Sequence, residues 1–206
     1  MFITHKITGE LKVLPLQNKA IESVIGIERI CAVIENKNTV YDIEDVANLR
    51  NLIQYDSQST LESVTKENRI IDHIRALCFL IPEGAPQPGR NGRARIIRKL
   101  MRELLTDLYV FNLNSIKTIE KLATEIIYIY KNRYPELQEK EEQIIVAISN
   151  HEKVYQKTLE KAGRAINRFL KKNEKNQLDK TETEYFKKQF GVPSELQEKY
   201  SRMMVD

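Results

Sequence analysis

The residues whose types and spacing could do chemistry in this chain are cations. Lys153, Lys157, Lys161, Arg164, Arg168, Lys171 and Lys175 follow one another at steps of four, four, three, four, three and four residues. On a helix, at about 100° per residue, all seven fall within a sector of about 80°, and at about 1.5 Å per residue they run for roughly 33 Å. Glu152, Glu160 and Glu174 project to another flank, and Tyr155, Leu159, Ala162, Ile166 and Phe169 line the far side. Opposite charges four residues apart would stabilise an exposed helix by a few tenths of a kcal/mol, about 0.2–0.5 per pair, and a column of like charges costs a similar amount. A bound polyanion would offset that cost.

A second basic set precedes it. Arg90, Arg93, Arg95, Arg98, Lys99 and Arg102 place six cations in thirteen residues with no acid among them. They fall at an expected helix start, where the macrodipole favours Asp or Glu by roughly 0.3–1 kcal/mol each. A phosphate held there would reverse the argument, because free N–H groups and arginine forks would converge on it. Arginine predominates, which suits bidentate contact better than diffuse attraction. The competing readings are that these arginines pair with acids elsewhere and that the lysine stripe is a solvated face.

Other chemistry is not supported by the residues. Gly84 to Asn91 has two glycines five apart followed by a cation, the spacing of a P-loop. Arg90 stands where the lysine should be, Asn91 replaces the Mg²⁺-binding hydroxyl, and Pro86 and Pro88 remove two N–H donors. His5, His73 and His151 are isolated, and neither Cys31 nor Cys78 has a partner at metal-ligand spacing, so no metal is expected. No Gly-x-Ser-x-Gly elbow occurs. Glu139, Glu141 and Glu142 open a helix, where the dipole accounts for them. Tyr109, Phe111, Tyr128, Tyr130, Tyr155 and Phe169 could stack on bases; aromatic residues at helical spacing are more often core, and core is the better reading for Tyr155 and Phe169, which lie opposite the stripe. The expectation is a protein without a cofactor that is not an enzyme.

The elements that must carry these residues are mostly helical. Phe2 to Leu14 reads as two strands joined at Thr8-Gly9-Glu10, Leu16 to Ile25 as a short helix capped by Gly26, and Arg29–Ile34 with Thr39–Ile43 as a second hairpin. From Asp45 the apolar period changes from two to 3.6. Helices are expected up to Pro82, over Ala94–Tyr109 and Ser115–Tyr134, and from Pro135 to about Lys175, where Gly163 is a candidate kink. Thr181 with Glu184, closed by Gly191, and Ser194 with Gln197 mark two final helices. The fold class is therefore mainly α: a helical bundle with one long C-terminal helix, preceded by a small N-terminal α+β part with two short hairpins. The expected organisation is an acidic part over 1–82, a Pro/Gly-rich linker over 83–92 and a basic helical domain over 93–206.

Charge distribution agrees with that division. Residues 1–89 hold nine Lys and Arg against twelve Asp and Glu, for −3, whereas residues 90–206 hold 24 against 17, for +7. No apolar run approaches the roughly 20 residues of a membrane helix, and the first ten residues do not have the pattern of a signal peptide. Cys31 and Cys78 lie in apolar surroundings, as reduced core residues of an intracellular protein would. Abundant Ile, Lys, Asn and Glu and the absence of Trp suit an AT-rich source such as a low-GC bacterium or a virus. The functional expectation is a nucleic-acid-binding protein, DNA and RNA undecided, acting in cytoplasm, nucleoid or nucleus. The alternative is a viral or phage assembly protein or inhibitor, in a virion for instance, that docks its basic helix on an acidic partner or a second copy.

Overall fold

The computed structural model describes residues 2–7, 13–21, 24–55 and 60–202. Contacts divide the chain into two compact units, Met1–Val46 and Ala47–Asp206.

In the first unit, β1 (Phe2–Ile7) pairs antiparallel with β2 (Val13–Ile21), which is the first expected hairpin; its turn lies outside the described residues. Pro15 does not end the second strand. It sits opposite His5, beside an irregularity in register between Ile3 and His5. Each strand of a two-stranded pair has a free edge, so a residue without an N–H is tolerated there, and Leu16 to Ile21 extend β2 instead of forming the expected helix. The second expected hairpin is also replaced: Ile27–Ile34 is a helix, α1, which starts after Gly26. Ile27, Ile30, Cys31 and Ile34 recur at i, i+3, i+4 and i+7, and this helical period outweighs the β-propensity of the individual residues. The residues after α1 turn tightly, with the Thr39 N–H and Oγ1 both donating to the Asp42 carboxylate at 3.1 and 2.7 Å.

Helix α2 (Glu44–Asn51) leads into the second unit. There α3 (Leu61–Leu80) opens on a capping box: Thr60 Oγ1 accepts the Ser63 N–H at 3.1 Å, and Ser63 Oγ accepts the Thr60 N–H at 2.8 Å. Ile70, Ile71, Ile74, Leu77 and Cys78 are fully buried, and burial pushes the Cys78 thiol up to about 12. The Pro/Gly-rich stretch joins α3 to α4 (Gly92–Val110), and the two helices pack together. Arg69 on α3 donates from Nε and Nη2 to the fully buried Asp107 on α4 at 2.6 and 2.5 Å. Burial raises the Asp107 pKa and Arg69 pulls it back, while the same bonds raise Arg69.

The remaining elements are α5 (Ser115–Tyr130), the single turn α6 (Glu136–Glu139), α7 (Glu141–Lys172), α8 (Lys180–Phe190) and α9 (Ser194–Arg202). Nine helices and one strand pair among the described residues make the chain mainly α, with the expected small N-terminal α+β part and long C-terminal helix. None of these helices is long and apolar enough to cross a membrane.

Three local expectations change. The long helix does not start at Pro135, because Lys140, at φ −107° and ψ 5°, separates α6 from α7. Gly163 is not a kink: α7 runs through it unbroken, and a Cβ there would stand 2.6 Å from the Tyr200 carbonyl oxygen, so glycine lets α9 cross closely. The capping box of α8 is Asp179 with Glu182, two residues earlier than expected, bonded both ways at 2.9 Å.

Candidate nucleic-acid interface

Helix α4 begins with no acid in its first turn, and Asn91 occupies the N-cap without a side-chain cap bond. Arg90, Arg93 and Arg95 are exposed around this end, so the macrodipole argument applies to them. Arg98, Lys99 and Arg102 lie further along, in the second and third turns. The apolar residues Ile97, Met101, Leu104, Leu105 and Leu108 are buried, which leaves Arg95, Arg98, Lys99 and Arg102 along one edge of the helix. These four line a cavity of about 280 Å³ with Glu103, Thr106, Tyr155, Gly191 and Pro193; Glu103 lies 3.8 Å from Lys99 and 2.9 Å from His73 Nε2. Arg93 opens onto a different, more apolar cavity with Leu80, Pro86 and Ile96.

Arg102 is fixed in place. Its guanidinium carbon stands 4.7 Å from the centroid of the Tyr155 ring, and its Nη2 donates to the Phe190 carbonyl at 3.3 Å. Gly191, at φ +65°, terminates α8 and admits the guanidinium, since a Cβ there would come within 2.9 Å of Nη1. The Tyr155 hydroxyl shares a hydrogen bond of 2.9 Å with Thr106 Oγ1, so the ring under Arg102 is itself held. Burial, with Arg98 nearby, lowers the Arg102 pKa. One turn before Tyr155, His151 has a buried Nε2 with no hydrogen-bond partner. Burial, then Arg102 and Arg98, push its pKa down to about 4, so the imidazole is neutral near pH 7. The orientation of α7 against α4 and α5 is set by the buried Glu152, which accepts from the Tyr109 hydroxyl at 2.9 Å and from Ser115 Oγ.

Along α7, Lys153, Lys157, Lys161, Arg164, Arg168 and Lys171 are all exposed, as the spacing requires. Arg164 lies 3.8 Å from Glu160, and Arg168 Nε donates to the Arg164 carbonyl at 3.3 Å. The seventh cation behaves differently. Lys175 lies beyond the helix and donates from Nζ to Glu182 at 2.6 Å and to Asp179 at 3.3 Å, bonds that raise its pKa and hold it against the start of α8. The two basic sets are not one patch. His151 and Tyr155, the α7 residues that meet the α4 arginines, lie about 120–160° around the helix from the centre of the stripe.

Among the aromatic residues, Tyr155 is in the core and Phe169 packs edge-on against Phe186, whereas Tyr128 is exposed with Lys131 Nζ 4.1 Å above its ring. Sequence reasoning did not connect Tyr155 or His151 with the arginines. Their spacing of four residues on one helix was the available signal; Thr106 and Gly191 gave none, because only the packing of α4, α7 and α8 brings them to Arg102.

Over residues 1–203 the chain matches the family model described as tRNA synthetases class II (A). The alanine–tRNA ligase of Buchnera aphidicola subsp. Acyrthosiphon pisum is 28% identical over 197 residues, covering 95% of this chain and 22% of that protein. The alanine–tRNA ligase of Bacillus pumilus is 29% identical over 194 residues, 91% of this chain and 22% of that protein. That of Leptospira biflexa is 31% identical over 157 residues, 75% and 16% respectively. The chain thus spans about a fifth of the length of the curated relatives it matches. These matches overturn the expectation of a non-enzymatic binding protein, since the family is one of enzymes. They equally overturn the alternative of a viral or phage assembly protein or inhibitor, because the matched relatives are bacterial ligases. The expectation failed because it relied on short catalytic motifs, and family membership here is carried by the whole length of the chain.

Proposed function

Because the chain belongs to the class II (A) tRNA synthetase family, we propose that it grips tRNA for an alanine–tRNA ligase reaction, with the α4 cations as its principal contact. The observation that carries this reading is the convergence of Arg95, Arg98, Lys99 and Arg102, four cations against the single carboxylate of Glu103, on one cavity along a helix whose first turn has no acid. Arginine forks there match phosphate oxygens, and the first-turn N–H groups add to the attraction. Arg102, clamped between Tyr155 and Gly191, supplies fixed positive charge in the cavity wall; Arg95 is exposed, and Lys99, exposed and 3.8 Å from Glu103, would exchange that carboxylate for a ligand's phosphate. Duplex RNA displays phosphates and 2′-hydroxyls across its shallow minor groove, and such a set reads that shape more than base sequence. The role places the chain inside the cell, where tRNA is charged.

The test is binding of an alanine-accepting tRNA transcript, followed by fluorescence anisotropy at about 50 and about 200 mM salt. Wild type is expected to bind, and R95Q/R98Q to bind roughly tenfold to a hundredfold more weakly, as for the loss of one or two charge-assisted hydrogen bonds. A wild-type chain that leaves the transcript free at about 50 mM salt removes the proposal.

A further inference from the structure

The α7 stripe lies apart from the α4 cavity and has a different shape. Six exposed cations stand along one side of a helical rod, and Lys171, at its end, also borders a cavity of about 200 Å³ with Asn176 and Leu178. Successive members are about 4.5–6 Å apart along the axis, and Lys153 to Lys171 spans about 27 Å. The nearby acids do not neutralise them. Glu152 is buried with Tyr109 and Ser115, and Glu160 faces Arg164 alone at 3.8 Å. Lys153, Lys157, Lys161, Arg168 and Lys171 make no ion pair with any described residue. Helices α4, α5, α8 and α9 pack against α7, yet the stripe stays open to solvent.

We infer that the α7 stripe is a second RNA-backbone face, which engages a segment of the bound tRNA other than the one held at α4. The inference rests on the tRNA reading above. A regular column of point charges on a convex rod complements the regular charge array of a phosphate backbone, whereas an acidic protein surface presents carboxylates at irregular intervals. Lysine predominates, so the contact tolerates variation in sequence and local shape, in contrast to the arginine forks of α4. An RNA segment seated in the α4 cavity cannot also lie flat on the stripe, because the two faces are about 120–160° apart around α7.

Salt dependence separates the two faces. Each neutralised phosphate contributes about 0.9 to the slope of log affinity against log salt for a duplex, so four stripe contacts contribute about 3.6. In the full chain, with the same transcript as probe, K157Q/K161Q/R168Q/K171Q is expected to flatten the slope by about 3 units. The charge-matched control K117Q/K121Q/K180Q/K188Q, on exposed positions of α5 and α8, is expected to change it by less than about 1. Circular dichroism verifies that the helices persist, and K157Q/K161Q, with about half the effect, serves if the larger variant does not fold. If the stripe variant keeps the wild-type slope while R95Q/R98Q binds weakly, the second face is refuted and the α4 reading stands. Equal flattening by stripe and control variants also refutes it, as an effect of net charge alone. If wild type does not bind the transcript, both readings fall together.

Discussion

Helices α4 and α7 each carry a run of cations, mostly arginine on α4 and mostly lysine on α7, and they use them differently. On α4 the charges converge: Arg102 is stacked on Tyr155 and bonded to the Phe190 carbonyl, and Arg95, Arg98 and Lys99 stand around the same cavity. On α7 they are spread along a convex, solvent-facing line. The difference lies in what packs alongside. Helix α4 is flanked by α7 and by the α8–α9 connection at Gly191, which turn its basic edge into a concavity; the stripe side of α7 faces solvent from Lys153 to Arg168, and Lys171 at its end borders a cavity with Leu178 and Glu198. Two runs of cations therefore become one preorganised set and one diffuse set.

Substitutions can break or sharpen this contrast, beginning where the effect is largest. Gly163 lies between Lys161 and Arg164 in sequence but faces α9, with the Tyr200 carbonyl oxygen 2.6 Å from where a Cβ would stand. Gly163→Ala should lower stability by about 3 kcal/mol through overpacking against backbone. Urea unfolding will decide, and a midpoint within error of wild type would mean that α9 does not cross there. Arg102→Ala should cost about 2 kcal/mol, through lost stacking on Tyr155 and a carbonyl left without its donor. If it costs no more than an exposed lysine does, Arg102 is not clamped and the contrast with α7 weakens.

The His151 imidazole provides a titration of the α4 side. Its pKa is about 4 in the folded chain, against an ordinary 6.5, so between these values the unfolded chain binds more protons. The stability held by the neutral ring is fully present above about pH 6.5 and is lost as pH falls toward about 4. Unfolding midpoints across that window should fall more steeply in wild type than in His151→Asn, and parallel curves would place His151 in solvent. The smallest effect belongs to the stripe: Lys157→Gln should change stability by less than about 0.5 kcal/mol, as at any exposed site free of special contacts. A larger loss in the same unfolding assay would give Lys157 a structural role and remove it from the binding face.

Much of the helical part was legible in the sequence because its signals are local. The start of α5 at Ser115, the stop at Gly191 and the burial of Leu104, Leu105 and Leu108 each follow from periodicity or capping chemistry. The N-terminal unit was less legible. Around Ile27 to Ile34 β-branched residues and a helical period compete, and around Pro15 a residue that ends most strands is accommodated by a two-stranded pair. The function was misread for a related reason: the match that identifies the family extends over residues 1–203, and no short motif within that length names an enzyme.

By itself the sequence determined where the cations are and that six of them, Lys153 to Lys171, share one helical face, since side-chain direction on a helix follows from residue number alone. It could not determine which of them would be free. Lys175 belongs to the same stripe by spacing, but the start of α8 captures it through Asp179 and Glu182. Arg102 belongs to an acid-free run, but Tyr155 and Gly191, 53 and 89 residues further along, make it a fixed part of a cavity wall. Those outcomes depend on which helices pack together, and local spacing carries no record of residues that meet only when the chain has folded.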